Sequence, residues 1–206
     1  LASNILKLPK PRLKGQLSVE EAIAFRRSVR DFSPTPISLE DLSQLLWAAQ
    51  GVTDPESGGR SAPSAGATYP LEIFVFVKEG GVKGVEAGVY RYRPLDHSLI
   101  KVVSEDRVRA LMEAALYQEF ICEAAVNIVI AAKYERTTAR YGGRGVRYVH
   151  FEVGHVGQNI SLEAVSLGLG SVMVGAFNDE AVKKLINGAA EPLYIIPVGH
   201  ISGKYY

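Results

Sequence analysis

The stretch Tyr148-Val149-His150-Phe151-Glu152-Val153-Gly154-His155-Val156-Gly157-Gln158-Asn159-Ile160-Ser161-Leu162-Glu163-Ala164-Val165-Ser166-Leu167 decides the architecture. Its apolar residues recur at helical spacing, which predicts one very long helix from about Tyr148 to Leu167 with Gly168 as its C-cap. Gly154, Gly157, Ala164 and Gly168 are small residues among aliphatics, so another helix could approach closely. That helix could belong to a second copy or to the same chain. Working outward, Ser171–Val174 and Leu193–Val198 read as strands around a helix over Asp179–Ile186. Upstream, Lys133–Arg147 is polar, contains Gly142-Gly143 and Gly145, and reads as a mobile loop. Leu71–Lys78 and Val126–Ala132 are apolar runs of strand length, with a hairpin (Gly88–Tyr92 and Leu99–Val103) and a helix over Asp106–Tyr117 between them. Ser18-Val19-Glu20-Glu21 and Ser38-Leu39-Glu40-Asp41 are capping boxes, each predicting a helix; the first ends near Arg26–Arg30 and the second at Gly51. The alternation is not a strict βαβ rhythm. The pattern predicts an α+β fold, a mixed sheet flanked by helices with the long helix at its heart.

The 206 residues are 47% hydrophobic and 22% charged with a net charge of +1, the balance of one globular domain spanning 1–206. That charge gives no electrostatic reason to expect nucleic acid or an acidic membrane as partner. Cys122 is the single cysteine, which excludes a disulfide framework and a multi-cysteine metal site and suits a reducing cytoplasm. Residues 1–16, with their Leu8-Pro9-Lys10-Pro11 run, read as an extended N-terminal arm. No apolar run is long enough to span a bilayer.

Four clusters carry possible chemistry. Arg26-Arg27-Ser28-Val29-Arg30 places three guanidiniums and a hydroxyl within five residues at a helix end. Arginine forks match phosphate oxygens in pairs, although the same cluster also reads as a solvated basic face on a helix C-terminus. Pro63-Ser64-Ala65-Gly66 lies in a small-residue loop before a strand, where backbone could approach a flat ligand; an ordinary tight loop has the same composition. Gly168-Leu169-Gly170 lacks the third glycine of a dinucleotide fingerprint, whereas Gly175-Ala176 offers bare backbone past the strand. His150 and His155 are five apart, too far round a helix to form a metal pair, so no metal is expected. Glu152 and Glu163 suggest no paired-carboxylate site, Cys122 reads as a buried thiol and His200 as structural.

Taken in order, these segments resemble the FMN-dependent nitroreductase family over about Leu17 to His200, together with Leu45-Leu46-Trp47-Ala48-Ala49-Gln50-Gly51, Gly154-His155-Val156-Gly157-Gln158-Asn159 and Ile196-Pro197-Val198-Gly199-His200. Ala62–Pro70 and Tyr141-Gly142-Gly143-Arg144-Gly145-Val146-Arg147-Tyr148 are most similar to the SagB-like branch, whose best-known members oxidise azolines in thiazole- and oxazole-containing peptides. The resemblance implies that Arg26, Arg27 and Ser28, with Arg30 close by, hold the phosphate and pyrimidine side of FMN. It implies that Pro63, Ser64, Ala65 and Gly66 reach the flavin of the other subunit in a homodimer, and that Gly175 and Ala176 face the ring near N5. Lys204 is the basic residue after His200 that would complete the phosphate site. The implied activity is two-electron transfer from NAD(P)H through FMN to a small organic acceptor such as a nitro compound or quinone. The alternatives are an oxidase of a peptide azoline or small heterocycle, and a non-catalytic flavin-binding module. Where azoline oxidases of this branch carry a Lys-Tyr pair, this chain has Arg140-Tyr141. Arginine stays protonated and is a poor general base, which argues against azoline oxidation and leaves Tyr141 as a catalytic hydrogen-bond donor.

Overall fold

A computed structural model describes residues 4–203. Its frame is a seven-stranded sheet in the order β1-β6-β5-β4-β7-β9-β8, made of β1 (Ile5–Lys7), β4 (Leu71–Val77), β5 (Gly88–Arg93), β6 (Ser98–Val103), β7 (Val126–Ala132), β8 (Gly170–Ser171) and β9 (Glu191–Gly199). A separate two-stranded ribbon joins β2 (Val52–Asp54) to β3 (Gly59–Arg60). Pairings between the named strands of the large sheet are antiparallel, and parallel pairing enters at the bridge Ser28–Ser171.

The central strands are apolar but for Glu72 and Asn127, because both faces are covered. On β7, Ile128 and Ile130 face one core with Ile73 and Val75 of β4. Val129 and Ala131 face the opposite core with Phe74 and Phe76. The first core is roofed by α2 (Leu39–Gln50) and α6 (Gly145–Ser166). The second is closed by α3 (Val108–Ala114), α4 (Phe120–Glu123) and α7 (Asp179–Leu185).

Local signals hold well. Ser18 and Ser38 form the two capping boxes, opening α1 (Val19–Phe25) and α2. Gly168, at φ +71°, follows α6 as the left-handed stop that a glycine adopts most readily. In the N-terminal arm, Ile5–Lys7 add β1 to the edge of the sheet. The arm is strapped to α2, where Gln44 accepts from Arg12 N and donates to Arg12 O.

Several expectations need correction. Residues 133–147 are not a mobile loop: α5 (Glu135–Tyr141) and a short turn (Gly142–Arg144) fill them, and α6 starts at Gly145, three residues early. The glycines that suggested a loop instead allow a tight helix–helix joint. Gly142 turns at φ +58°, and a Cβ on Gly145 would lie 2.9 Å from Thr138 Cα. The helix after Asp106 is shorter than expected, because Leu116 and Tyr117 both sit at φ +58°. The strand expected over Ser171–Val174 reduces to β8 and one bridge, Val174–Ile195. Within this chain Gly157 lets Met173 approach, since an added Cβ would lie 2.9 Å from Met173 Sδ, while Gly154 faces open space. Cys122 is half-buried rather than fully buried.

Candidate functional site

The basic cluster begins where α1 ends, with Arg26 as C-cap. From there the chain runs along β8: Ser28 bridges Ser171, and Val29 N donates to Ser171 O at 2.9 Å. It then meets the C-terminal segment, where Ser33 N donates to His200 O and Phe32 bridges Ile201. Gly170 makes this close docking possible, since a Cβ there would lie 2.9 Å from Val29 Cβ and from Ile201 Cγ1. Val29 is buried as the anchor, leaving Arg27, Ser28 and Arg30 exposed and Arg26 half-buried.

Among the described residues none of these three guanidiniums pairs with a carboxylate. Arg27 Nη1 donates to the carbonyls of Ala24 and Arg26 at 3.0 and 2.7 Å. Beside the cluster opens a cavity of about 640 Å³, with Arg27 and Ser28 at its rim and Phe25, Val29, Leu169 and Ile201 in its wall. An apolar wall with a few polar groups is the usual make-up of a small-molecule site. Gly175 and Ala176 are exposed, and neither amide has an acceptor among the described residues. Gln118 Nε2 donates to Ala176 O at 3.0 Å, which holds this backbone in place. Lys204 lies outside the described residues.

The Pro63–Gly66 loop stands elsewhere. Ser64 Oγ donates to Glu152 on α6 at 2.6 Å and accepts from Tyr69 N at 2.9 Å, so its hydroxyl serves the loop's own shape. Pro63 and Gly66 are exposed and Ala65 is half-buried. The loop is strained: Gly66, Ala67 and Tyr69 have φ of 58, 51 and 43°. Helix α5 staples it. Thr68 and buried Thr137 share a 2.8 Å hydroxyl bond, Arg136 Nη1 donates to Tyr69 O and Arg140 Nη1 to Gly66 O. A Cβ on Gly66 would come within 2.4 Å of Tyr141 Oη, so Tyr141 lies directly against this loop.

The sequence does not mark Glu152, because an acid on an apolar helix gives no local sign of its partners. It is 2% exposed, and burial pushes its carboxyl above the ordinary range against the opposing bonds from Ser64 and Gln50 and the charge of Arg60. Burial raises Glu163 likewise. Among the described residues there is no cluster of histidine, cysteine and acid side chains that could hold a metal, and no helix long and apolar enough to cross a membrane.

Within one chain the basic cluster and the loop do not meet. Glu152 holds Ser64, whereas Val165 lines the cavity beside Arg27. At 1.5 Å per residue those two positions on α6 are about 20 Å apart. Large apolar side chains are exposed on both helices, Val19, Ile23 and Phe25 on α1 and Val146 and Phe151 on α6.

A candidate nitroreductase of Methanocaldococcus jannaschii is 50% identical over 184 residues, covering 89% of this chain and 91% of that protein. The microcin B17-processing protein of Escherichia coli is 30% identical over 156 residues, 73% of this chain but 57% of that longer protein. A crystal structure described as a candidate nitroreductase from Ralstonia eutropha superposes with a TM-score of 0.85 at 27% identity, covering 98% of this chain and 91% of the other. The model of the nitroreductase family, oxidoreductases that generally use a flavin, matches residues 23–200. On that match, and on the 50% identity over most of both chains, the chain belongs to the nitroreductase family.

Proposed function

We propose that this protein is an FMN-dependent oxidoreductase, a single flavin-binding domain acting as a homodimer in a reducing cytoplasm. The carrying observation is that two half-sites, the arginines without carboxylate partners and the strained Pro63–Gly66 loop, stand about 20 Å apart along α6. A second copy related by a twofold axis would bring each half-site to its complement. The residues present fit the cofactor. Unpaired guanidiniums suit a phosphate, and exposed amides without acceptors suit the polar edge of a ring.

FMN, when bound, would supply two-electron transfer from NAD(P)H to a small organic acceptor such as a nitro compound or a quinone. In this reading Arg26, Arg27 and Arg30, with Lys204, offset the charge of the phosphate, and Ser28 donates to it or to the pyrimidine edge. Gly175 and Ala176 offer amides to the ring near N5. Pro63, Ser64, Ala65 and Gly66 of the second copy close the site, mainly through backbone, and Tyr141 donates a hydrogen bond to the substrate. No protein nucleophile is required.

A second reading, oxidation of a peptide azoline or small heterocycle, draws on the similarity to the microcin B17-processing protein and on Arg140 and Tyr141 lying against Gly66. It lacks a general base at Arg140. The purified protein should be yellow, should release FMN rather than FAD on heating, and should be bleached by NAD(P)H without oxygen. Released FAD refutes the cofactor assignment. Yellow protein inert to both nicotinamides moves the assignment to the second reading or to a non-catalytic flavin module. A monomer holding stoichiometric FMN in light scattering refutes the two-copy site.

A further inference from the structure

A second basic concavity lies on the far side of the Ala62–Pro70 loop, between β3, β4, β5 and α5. Its volume is about 290 Å³, and its charged lining is Arg60, Arg91, Arg93 and Arg136 against Glu72 and Asp96. Glu72 serves two of the arginines, at 2.6 Å from Arg136 and 4.0 Å from Arg91. Asp96 pairs with Arg93 at 3.1 Å and is shared with Lys7 at 3.3 Å. Four guanidiniums thus face two carboxylates, and two positive charges are left without a counter-charge in the lining.

Arg60 is where the excess concentrates. It pairs with no carboxylate: Nη1 donates to neutral Gln50 Oε1 at 2.9 Å, and the guanidinium lies 4.1 Å over the Tyr69 ring. Its Nε is buried with no acceptor among the described residues. A half-buried guanidinium without a carboxylate partner is costly, and an anion in the concavity that Arg60 lines would offset part of that cost. Arg91, Arg93 and Arg136 are each 38% exposed, so their free N–H groups remain reachable from solvent.

We propose that this concavity is a binding site for a small dianion, a dicarboxylate or a phosphate group, gripped by Arg60 and Arg93 and balanced by Arg91 and Arg136. Size and charge define the class. The volume is below what most drug-sized ligands need, and planar guanidinium forks match carboxylate and phosphate oxygens alike. Two of the four arginines also hold Tyr69, Arg60 on its ring and Arg136 on its carbonyl, so an anion here would brace the end of the strained loop. The site does not depend on the flavin assignment, since none of its residues belongs to the Arg26–Arg30 cluster.

The test is isothermal titration of the purified full chain, as isolated, with malonate, inorganic phosphate and acetate at constant ionic strength. Malonate or phosphate should bind saturably at one site per chain, with acetate at least about tenfold weaker. Tighter malonate assigns the ligand to a small organic diacid, and tighter phosphate to a phosphate monoester. Arg60→Met and Arg93→Gln should each weaken binding about tenfold, and Arg26→Ala should leave it unchanged. Should Arg60→Met fail to fold, Arg93→Gln, on the more exposed rim, still decides. Absence of saturable binding overturns the proposal. So do acetate binding as tightly as malonate, indifference to the tested variants, or loss of binding in Arg26→Ala.

Discussion

Replacing Gly170 by alanine tests whether β8 sets the position of the basic cluster. The added Cβ would lie 2.9 Å from Val29 Cβ and Cγ1 and 2.9 Å from Ile201 Cγ1. Carbon atoms pack comfortably from about 3.5 Å, so Val29 must retreat by roughly half an ångström or more. That movement stretches the 2.9 Å bond from Val29 N to Ser171 O to the edge of hydrogen-bonding range. Overpacking of about 1–3 kcal/mol and a weakened hydrogen bond of about 1 kcal/mol sum to a loss of about 2–4 kcal/mol. Gly170 is not in the left-handed region, so the whole cost is steric. Arg27, Ser28 and Arg30 move with Val29, and FMN affinity should fall about tenfold or more, since a displaced charge-assisted contact is worth over 1 kcal/mol. Gly188→Ala is the control: φ is +68° with nothing within 4 Å of the added Cβ, so it should cost about 1 kcal/mol of stability through backbone strain and leave FMN binding alone. Urea unfolding and fluorescence titration of apoprotein with FMN measure the two effects. If Gly170→Ala loses stability but binds FMN like wild type, the docking of the cluster on β8 does not shape the site.

Arg26→Ala should leave the fold intact and weaken FMN binding by about 2–4 kcal/mol, roughly 30- to 1000-fold, with Arg26→Lys recovering only part because an ammonium has no fork. Unchanged affinity with an unchanged circular dichroism spectrum would make Arg26 a solvated helix end. Glu152→Gln should alter the pH dependence of stability. Burial raises the folded pKa of Glu152, so its favourable contribution is complete below the ordinary glutamate value of 4.5 and is lost as pH rises through the raised folded value. The variant cannot ionise there, and its stability relative to wild type should improve over that window; parallel unfolding curves at every pH would refute the assignment. Thr137→Val removes the 2.8 Å bond to Thr68 and should cost about 1–2 kcal/mol. Faster hydrogen exchange at the Tyr69 amide is the local sign expected, and unaltered exchange would show that α5 does not staple the loop.

The sequence by itself determined the elements whose causes are local. Ser18 with Glu21 and Ser38 with Asp41 open helices because cap and partner are three residues apart. Val126–Ala132 and Leu71–Val77 are strands because apolar runs of that length, each broken by one polar residue near its start, need two covered faces. The long helix, the Arg26–Arg30 cluster and the glycines at 168 and 175 could be found the same way, and in order they carried the family resemblance. Only tertiary structure decided α5, because its polar sequence and flanking glycines look like loop until Thr137, Arg136 and Arg140 meet the Ala62–Pro70 segment, over 60 positions earlier in the chain. It also decided that Ser64 turns inward to Glu152, across 88 positions, and that four arginines from three elements share one concavity. The separation of the two half-sites along α6 belongs here too. Caps and periodicity act over a few residues and are written locally, whereas a buried acid or a shared cavity depends on distances that exist only after the chain has folded.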